Sequence, residues 1–179
     1  MRLALQNSSG LWRLVEMQEI HLDFLRLAAD DASMGECPGA RERLFPQPLT
    51  GRDELLDGEF NEDWKELIAP ELEMQFAGDV GVFLSDLDSV QPVIKTGDAA
   101  RTLYRLDMPV AHGQAWFSTL NQARLLLDLK HKLHDPGDAP GESAVQEQAG
   151  AEDDHGRLLV LMRYEFYAWV QEWLVRNVL

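Results

Sequence analysis

The C-terminal segment 157–178 constrains the fold more than any other part of the chain. Its apolar residues recur at helical spacing and have further apolar neighbours around them. The residues that define the pattern are Leu158, Leu161, Met162, Phe166, Trp169, Trp173 and Val178. A helix that is apolar on several sides must lie at the centre of the core or pair with another chain. The sequence therefore predicts a C-terminal helix that is either central or a binding surface.

The other patterns predict a mainly α fold with a small β element (α+β), in which about five helices surround that central C-terminal helix. Polar and apolar residues alternate over 2–6, a turn cluster follows, and apolar residues return over 11–15. This order predicts an N-terminal hairpin. The region 93–107 carries two further strand patterns, and we expect it to pair with the hairpin.

Helix boundaries follow from spacing and from capping residues. Apolar spacing predicts a first helix over 14–29, and Asn61 is a suitable N-cap for a second. Pro70 is expected to divide the second helix from a third, and Pro109 to open a fourth that runs to about His134. The apolar stripe predicted for the third helix consists of Leu72, Phe76, Val80, Phe83 and Leu87.

Length and charge limit the organisation and the partners. A chain of 179 residues is long enough for one domain with a sizeable core, so we expect a single domain over 1–179. The net charge of −15 argues against binding to nucleic acid or to an anionic membrane, because the bulk electrostatic term would be repulsive.

The acidic residues are concentrated in two segments. Residues 53–88 contain twelve acidic residues and one basic residue, and residues 135–154 contain seven acidic residues without any Lys or Arg. The second segment has no aromatic residue and only Val145 among the larger aliphatics. Since it cannot bury enough apolar surface to offset its ordering entropy, we expect a flexible acidic loop over 135–154.

The cysteine and hydropathy patterns indicate a cytoplasmic protein. Cys37 is the only cysteine, so the chain cannot form an intrachain disulfide. The N-terminal residues contain no apolar stretch typical of an export signal, and no apolar run approaches the length of a membrane span. We therefore expect no membrane partner.

The fourth predicted helix carries a polar stripe with two interpretations. Its members are Gln114, Asn121, Arg124, Asp128 and His131, and their spacing places them on one side of the helix. The plainer interpretation is a solvated face. The alternative is a recognition surface, in which Asn121 and Arg124 bind a partner or fix a buried backbone group.

The end of the same helix offers a weak metal motif. Asp128, His131, His134 and Asp135 are spaced so that several of their side chains can converge. A histidine near a helix C-terminus is also explained by the helix dipole alone. A small metal-assisted hydrolase that uses this cluster is therefore the alternative function, with no catalytic residue assigned. The sequence contains no motif for a phosphate or dinucleotide cofactor, and no cofactor is predicted.

The five tryptophans are expected to lie mostly in the core, whereas one or two at the surface would mark an interface, where aromatic residues concentrate binding energy. Trp169 and Trp173 are the candidates for such an interface. An apolar patch around them would favour an interaction or regulatory protein with a protein partner or a second copy of itself. A deep pocket that gathers His131 or His112 with carboxylates would favour the enzyme.

The order of several motifs resembles an uncharacterised bacterial family, the domain of unknown function 2017 family. The resemblance covers most of the chain and rests on Ala40-Arg41, Leu44-Phe45-Pro46, Glu59-Phe60, Trp64, Glu71-Leu72, Ala115-Trp116, Leu120-Asn121, Arg124-Leu125, Tyr167, Trp169, Gln171 and Leu174. It implies no activity and no catalytic residue. Family members are often encoded near the adaptor that delivers substrates to the Clp protease, so the resemblance also hints at a role linked to proteolysis.

Overall fold

The computed structural model confirms the mainly helical fold class with a small antiparallel sheet. It describes residues 2–6, 10–35, 37–46, 48, 54–95, 101–133 and 151–179. The strands are β1 (Arg2–Gln6), β2 (Leu11–Met17), β3 (Gln91–Lys95) and β4 (Arg101–Pro109). The α-helices are α1 (Glu19–Asp31), α2 (Ala40–Leu44), α3 (Glu54–Asp63), α4 (Ala69–Leu87), α5 (Gly113–His131) and α6 (Ala151–Asn177). A π-helical segment (Trp64–Ile68) joins α3 to α4, and a 3₁₀ turn (Val110–His112) precedes α5.

The sheet has the strand order β1-β2-β4-β3, and neighbouring strands are antiparallel. Leu14 of β2 pairs with Leu3 on one side and with Leu106 on the other. The predicted hairpin and its pairing with the 93–107 region are therefore confirmed. Because β2 and β4 are distant in sequence, the sheet connects the two halves of the chain.

A β-bulge explains why the first helix begins later than predicted. The register between β2 and β4 shifts between Leu14 and Met17, and Glu16 has a positive φ of 55°. The extra residue returns Met17 to the buried face of the strand three residues after Leu14. A spacing of three between buried residues is also typical of a helix, so the sequence pattern is ambiguous here. The prediction that the helix starts at Leu14 was wrong, since α1 begins at Glu19.

Asn61 and Pro70 do not mark helix boundaries, contrary to the prediction. Asn61 lies inside α3, and the helical path continues through the π-helical segment into α4 with Pro70 in its first turn. A proline ring in a regular α-helix would clash with the carbonyl of Glu66, four residues earlier. The π-helical segment ends at Ile68, two residues before Pro70, so the wider turn accommodates the proline without breaking the helix.

The boundaries of α5 and α6 also differ from the prediction. Pro109 is the last residue of β4, and α5 begins four residues later at Gly113. A Cβ atom added to Gly113 would lie 2.5 Å from Cγ1 of Val178, so the close approach of the chain end requires a glycine there. Helix α6 begins at Ala151, and it includes the last four residues of the segment predicted as a loop. Residues 135–150 lie outside the described part of the chain.

Helix α5 occupies the central position that was predicted for the C-terminal helix. It packs against α1, α2, α4 and α6, and it contributes more buried residues than any other helix of the described chain. Helix α6 packs mainly against α5 and, to a smaller extent, α1, which leaves one of its sides exposed. No helix among the described residues is long and apolar enough to cross a membrane.

A cross-strand ion pair fastens β2 to β4. Arg13 faces Asp107 in the register and donates from Nη2 to Oδ2 at 2.8 Å and from Nε to Oδ1. The hydrogen bonds from Arg13 hold the pKa of Asp107 below its ordinary value, and the charge of Arg105 acts in the same direction.

Replacing Asp107 with asparagine should reduce the free energy of unfolding by about 1 kcal/mol at neutral pH, since the pair is only partly exposed. A lowered pKa stabilises the folded state above the ordinary aspartate pKa of about 3.9, and this contribution is lost as the pH falls through the lower folded value. Denaturant unfolding at neutral and acidic pH measures the effect. A deficit that is the same at both pH values would contradict this assignment.

Candidate functional site

An apolar groove lies between α1 and α6 and has a volume of about 630 Å³. Its walls are Ile20, His21 and Phe24 from α1 and Leu158, Leu161, Met162, Glu165, Phe166 and Trp169 from α6. We call this feature the α1/α6 groove. Several of its large side chains are exposed, including Met162 at 46% and Trp169 at 41%. Contiguous exposed apolar surface on a protein is typical of a binding site.

The two candidate tryptophans lie in different environments. Trp173 is half-buried and packs against Trp12 of the core, with ring centroids 5.7 Å apart. Trp169 lines the groove. The four-residue spacing on α6 therefore does not give the two side chains the same environment, and only Trp169 is available in the groove.

His21 adds little charge to the groove. Burial lowers its pKa. Its Nδ1 accepts a hydrogen bond of 3.0 Å from the backbone N–H of Gln18, and its ring lies 5.8 Å from that of Phe166. A lowered pKa favours the neutral imidazole at neutral pH, so Glu165 is the formally charged residue of the groove wall.

A buried polar network fixes α6 against α1 and so shapes the groove. The hydroxyl of Tyr167 lies 2.8 Å from the carbonyl of Phe24 and 2.9 Å from Oδ2 of Asp31. Arg163 donates to the same carboxylate at 3.1–3.2 Å. Burial raises the pKa of Asp31, although the charge of Arg163 and the hydrogen bond from Tyr167 oppose the rise. Burial and the neighbouring Asp31 raise the pKa of Tyr167 as well.

Arg124 lies in the interface between α5 and α6. It donates from Nη1 to Oε1 of Gln171 at 2.7 Å and from Nη2 to the hydroxyl of Tyr164 at 3.0 Å. The guanidinium carbon also lies 4.6 Å from the centroid of the Tyr164 ring. Gln171 in turn donates to the carbonyl of Phe117 at 3.2 Å. These contacts join the two helices through a charged hydrogen-bond network.

Asn121 and Arg124 line a recess between α5 and α6, which we call the α5/α6 recess. It has a volume of about 350 Å³, and Val175 and Glu172 also contribute to its wall. Asn121 is half-buried there. The structure thus brings the predicted pair together in one recess, separate from the groove that contains Trp169.

A family model described as Domain of unknown function (DUF2017) matches residues 4–178, which is essentially the whole chain. The chain belongs to this family. No curated protein and no solved structure matches it significantly. Membership in DUF2017 supplies no activity, so functional arguments must rest on the geometry of the chain itself.

The motifs through which the chain resembled DUF2017 include both core residues and exposed residues. Their buried members are Ala40, Phe45, Ala115, Trp116, Leu120, Tyr167, Gln171 and Leu174. Arg41, Pro46, Phe60, Glu71 and Trp169 of the same motifs are exposed, Phe60 at 50% and Trp169 at 41%. Core packing therefore accounts for only part of this pattern.

The predicted metal cluster receives no support in this DUF2017 chain. Asp128 lies 3.4 Å from Nη2 of Arg43. Burial lowers the pKa of His131, and the charges of Lys130 and Arg163 lower it further. His134 and Asp135 fall outside the described residues. Among the residues that are described, no three His, Cys, Asp or Glu side chains are placed to hold a metal ion.

Sequence reasoning missed the contacts of Asp86, a buried carboxylate on α4 of the DUF2017 chain. Its Oδ2 accepts a hydrogen bond of 2.8 Å from the indole N–H of Trp116, and Nδ1 of His112 lies 3.0 Å from Oδ1. Asp86 thus connects α4 to the start of α5. The pairing depends on helix packing, and only the presence of Asp86 on an otherwise apolar side of α4 could have signalled it.

Proposed function

We propose that this DUF2017 chain is a protein-interaction module whose α1/α6 groove receives an apolar helix. The observation that carries the proposal is the exposed apolar lining of the groove, with Trp169 at its wall. Large aromatic side chains that become buried on binding dominate the energy of many interfaces. An amphipathic helix in a hydrophobic groove is a recurrent mode of recognition.

A second copy of the chain is the occupant we test first. Helix α6 itself presents an exposed apolar side through Leu158, Met162 and Trp169, which lie about one turn or two apart. Across a twofold axis this side of α6 meets its own copy, so that each chain covers the apolar side chains of the other. The acidic residues of 53–88 belong to other elements, so their repulsion does not act directly at this groove.

The proposal also includes a single domain and a cytoplasmic location, both predicted from the sequence. A single domain over 1–179 is supported by one core cluster that includes residues from Trp12 to Leu174. A cytoplasmic location is supported by the single cysteine. Binding at Asn121 and Arg124 and a regulatory link to proteolysis stay predictions.

Replacing Met162 and Trp169 together with serine should weaken self-association by about tenfold or more. The exchange removes apolar area that the interface buries, and each 1.4 kcal/mol of binding energy corresponds to about a factor of ten. Sedimentation equilibrium over a range of protein concentrations measures the change. Val175→Ser is the matched control, because Val175 is exposed on α6 but lines the α5/α6 recess.

A wild-type chain that stays monomeric at high micromolar concentration would exclude the second copy as occupant. Interaction with another protein is then tested by a photo-crosslinking amino acid at position 162 in living cells, with the same group at position 175 as the reference. A discrete adduct from position 162 alone supports the proposal. Equal labelling from both positions would refute it.

A further inference from the structure

A second exposed helical surface carries an inference that goes beyond the groove. It consists of α3, the π-helical segment and the first turns of α4, residues 54–74, which we call the acidic arm. Within the described chain, α3 and the π-helical segment pack extensively only against each other and α4. Every side chain described between positions 58 and 68 is exposed or only half-buried. Most helical stability in proteins comes from tertiary packing, so this part of the arm has little of the support that helices normally receive.

The acidic arm nevertheless exposes large apolar side chains. Leu67 is 62% exposed and Met74 is 69% exposed, the highest values among the large apolar residues of the described chain. Leu67 lies near the end of the π-helical segment and Met74 lies in the first turns of α4, with the exposed Glu71 between them in sequence. Ile68 and Phe60 add further exposed apolar area nearby along the arm.

The acidic arm is also rich in carboxylates. Residues 54–74 contain eight acidic residues and only Lys65 as a basic one. Glu73 pairs with Arg41 at 2.8 Å, on the side that faces α2. For Glu62, Glu66 and Glu71, the described part of the chain shows no cation within ion-pair distance. The acidic arm therefore combines exposed apolar side chains with carboxylates that have no ion-pair partner among the described residues.

This combination selects one kind of occupant. A second acidic arm, a nucleic acid and an anionic membrane would each place negative charge against negative charge. A basic amphipathic helix meets both requirements, since its Lys or Arg side chains reach the carboxylates while its apolar side covers Leu67 and Met74. The flexible thioether of Met74 suits such contacts. We infer that the acidic arm is the docking site for a lysine- or arginine-rich amphipathic segment of a partner protein.

The test uses a fluorescein-labelled peptide of lysine and leucine at helical spacing and a second peptide of the same composition in scrambled order. Fluorescence anisotropy with the full chain measures both affinities at low and at physiological salt. We expect tighter binding of the amphipathic peptide and a strong decrease with salt, because exposed charges are screened. The variant Leu67→Ser/Met74→Ser should lose at least about tenfold in affinity for the amphipathic peptide.

A pair of charge-reversal variants separates this site from the effect of net charge. Glu62→Lys/Glu66→Lys/Glu71→Lys changes the acidic arm, and Asp30→Lys/Glu42→Lys/Glu172→Lys changes three exposed acids elsewhere by the same total charge. All six positions are exposed, so circular dichroism melts should confirm that both variants fold. The arm variant should weaken binding about tenfold more than the control.

Three results would overturn the inference. They are equal loss of affinity in the two charge-reversal variants, no loss in Leu67→Ser/Met74→Ser, and loss in the groove variant Met162→Ser/Trp169→Ser that matches the loss in the arm variants. The last result would move the peptide to the α1/α6 groove. Failure of the groove proposal in sedimentation or crosslinking leaves these peptide measurements unaffected, so the two ideas are tested separately.

Discussion

Replacing Trp116 with alanine should lower the free energy of unfolding by roughly 3–5 kcal/mol. Trp116 is fully buried at the centre of the core, where its ring meets that of Trp12 edge to face at 5.1 Å and that of Phe83 at 4.4 Å. The substitution leaves a cavity between the sheet, α4 and α5. It also removes the indole donor that serves the buried carboxylate of Asp86.

Urea denaturation monitored by circular dichroism measures this loss, and Trp169→Ala is the matched control. Trp169 is the same residue type on another helix, but it lies exposed in the α1/α6 groove. Its truncation should cost no more than about 1 kcal/mol, because exposed positions contribute little packing. Similar losses for the two variants would mean that the groove is closed or that Trp116 is not at the core.

Trp169 and Trp173 of α6 show which features of the structure helical periodicity does not predict. The helical pattern of 157–178 predicted a helix where α6 lies, although α6 begins earlier, at Ala151. Its apolar character on several sides indicated a core or a binding role. Trp169 and Trp173 carry equal weight in that pattern. Only the position of β2 decides between them, since Trp12 from that strand covers Trp173. A contact between elements so far apart in sequence leaves no trace in local spacing.

Local irregularities account for the boundary errors. The bulge at Glu16 restores Met17 to the buried face after three residues, so a strand imitates a helix in the sequence. The π-helical segment before Pro70 accommodates a residue that ordinarily ends a helix. The bulge and the π-helical segment both change the number of residues between side chains that share a face. Apolar spacing at a fixed period therefore predicts the wrong boundaries at these two places.

The sequence indicated which polar residue types could take part in the site, but not which residues they contact. Arg124 was singled out from a polar stripe, whereas its partners Gln171 and Tyr164 lie on α6. The α1/α6 groove depends in the same way on a network between helices. Asp31 ends α1, and Arg163 and Tyr167 reach it from α6. Sequence distance hides such networks, although burial of their charged members gives them large energetic consequences.

Replacing Arg163 with methionine should therefore cost about 2–3 kcal/mol at neutral pH, somewhat less than the loss of one partner from a fully buried ion pair. The side chains of Arg163 and Asp31 are only 16% and 12% exposed. Methionine keeps much of the packing of the arginine stem but leaves the Asp31 carboxylate without its cation. Arg176→Met on the same helix is the control, because its pair with Glu172 is exposed and should contribute little.

The dependence of this loss on pH distinguishes a buried charge from lost packing. Burial already raises the pKa of Asp31, and removal of Arg163 removes the largest opposing influence, so the folded-state pKa should rise further. A group with a raised folded pKa binds its proton more tightly in the folded state. It destabilises the fold as the pH rises from the ordinary aspartate pKa of about 3.9 through the folded value.

The deficit of Arg163→Met should consequently shrink as the pH is lowered toward that ordinary value, where Asp31 becomes neutral. Asp31→Asn/Arg163→Met should recover part of the lost stability at neutral pH, because the uncompensated carboxylate is gone. Denaturant unfolding of the wild type and both variants across this pH range measures the two effects. A deficit that does not change with pH, together with a double variant no more stable than Arg163→Met, would show that Arg163 acts by packing alone. In that case the ion pair would not be what fixes α6 against α1 beside the groove.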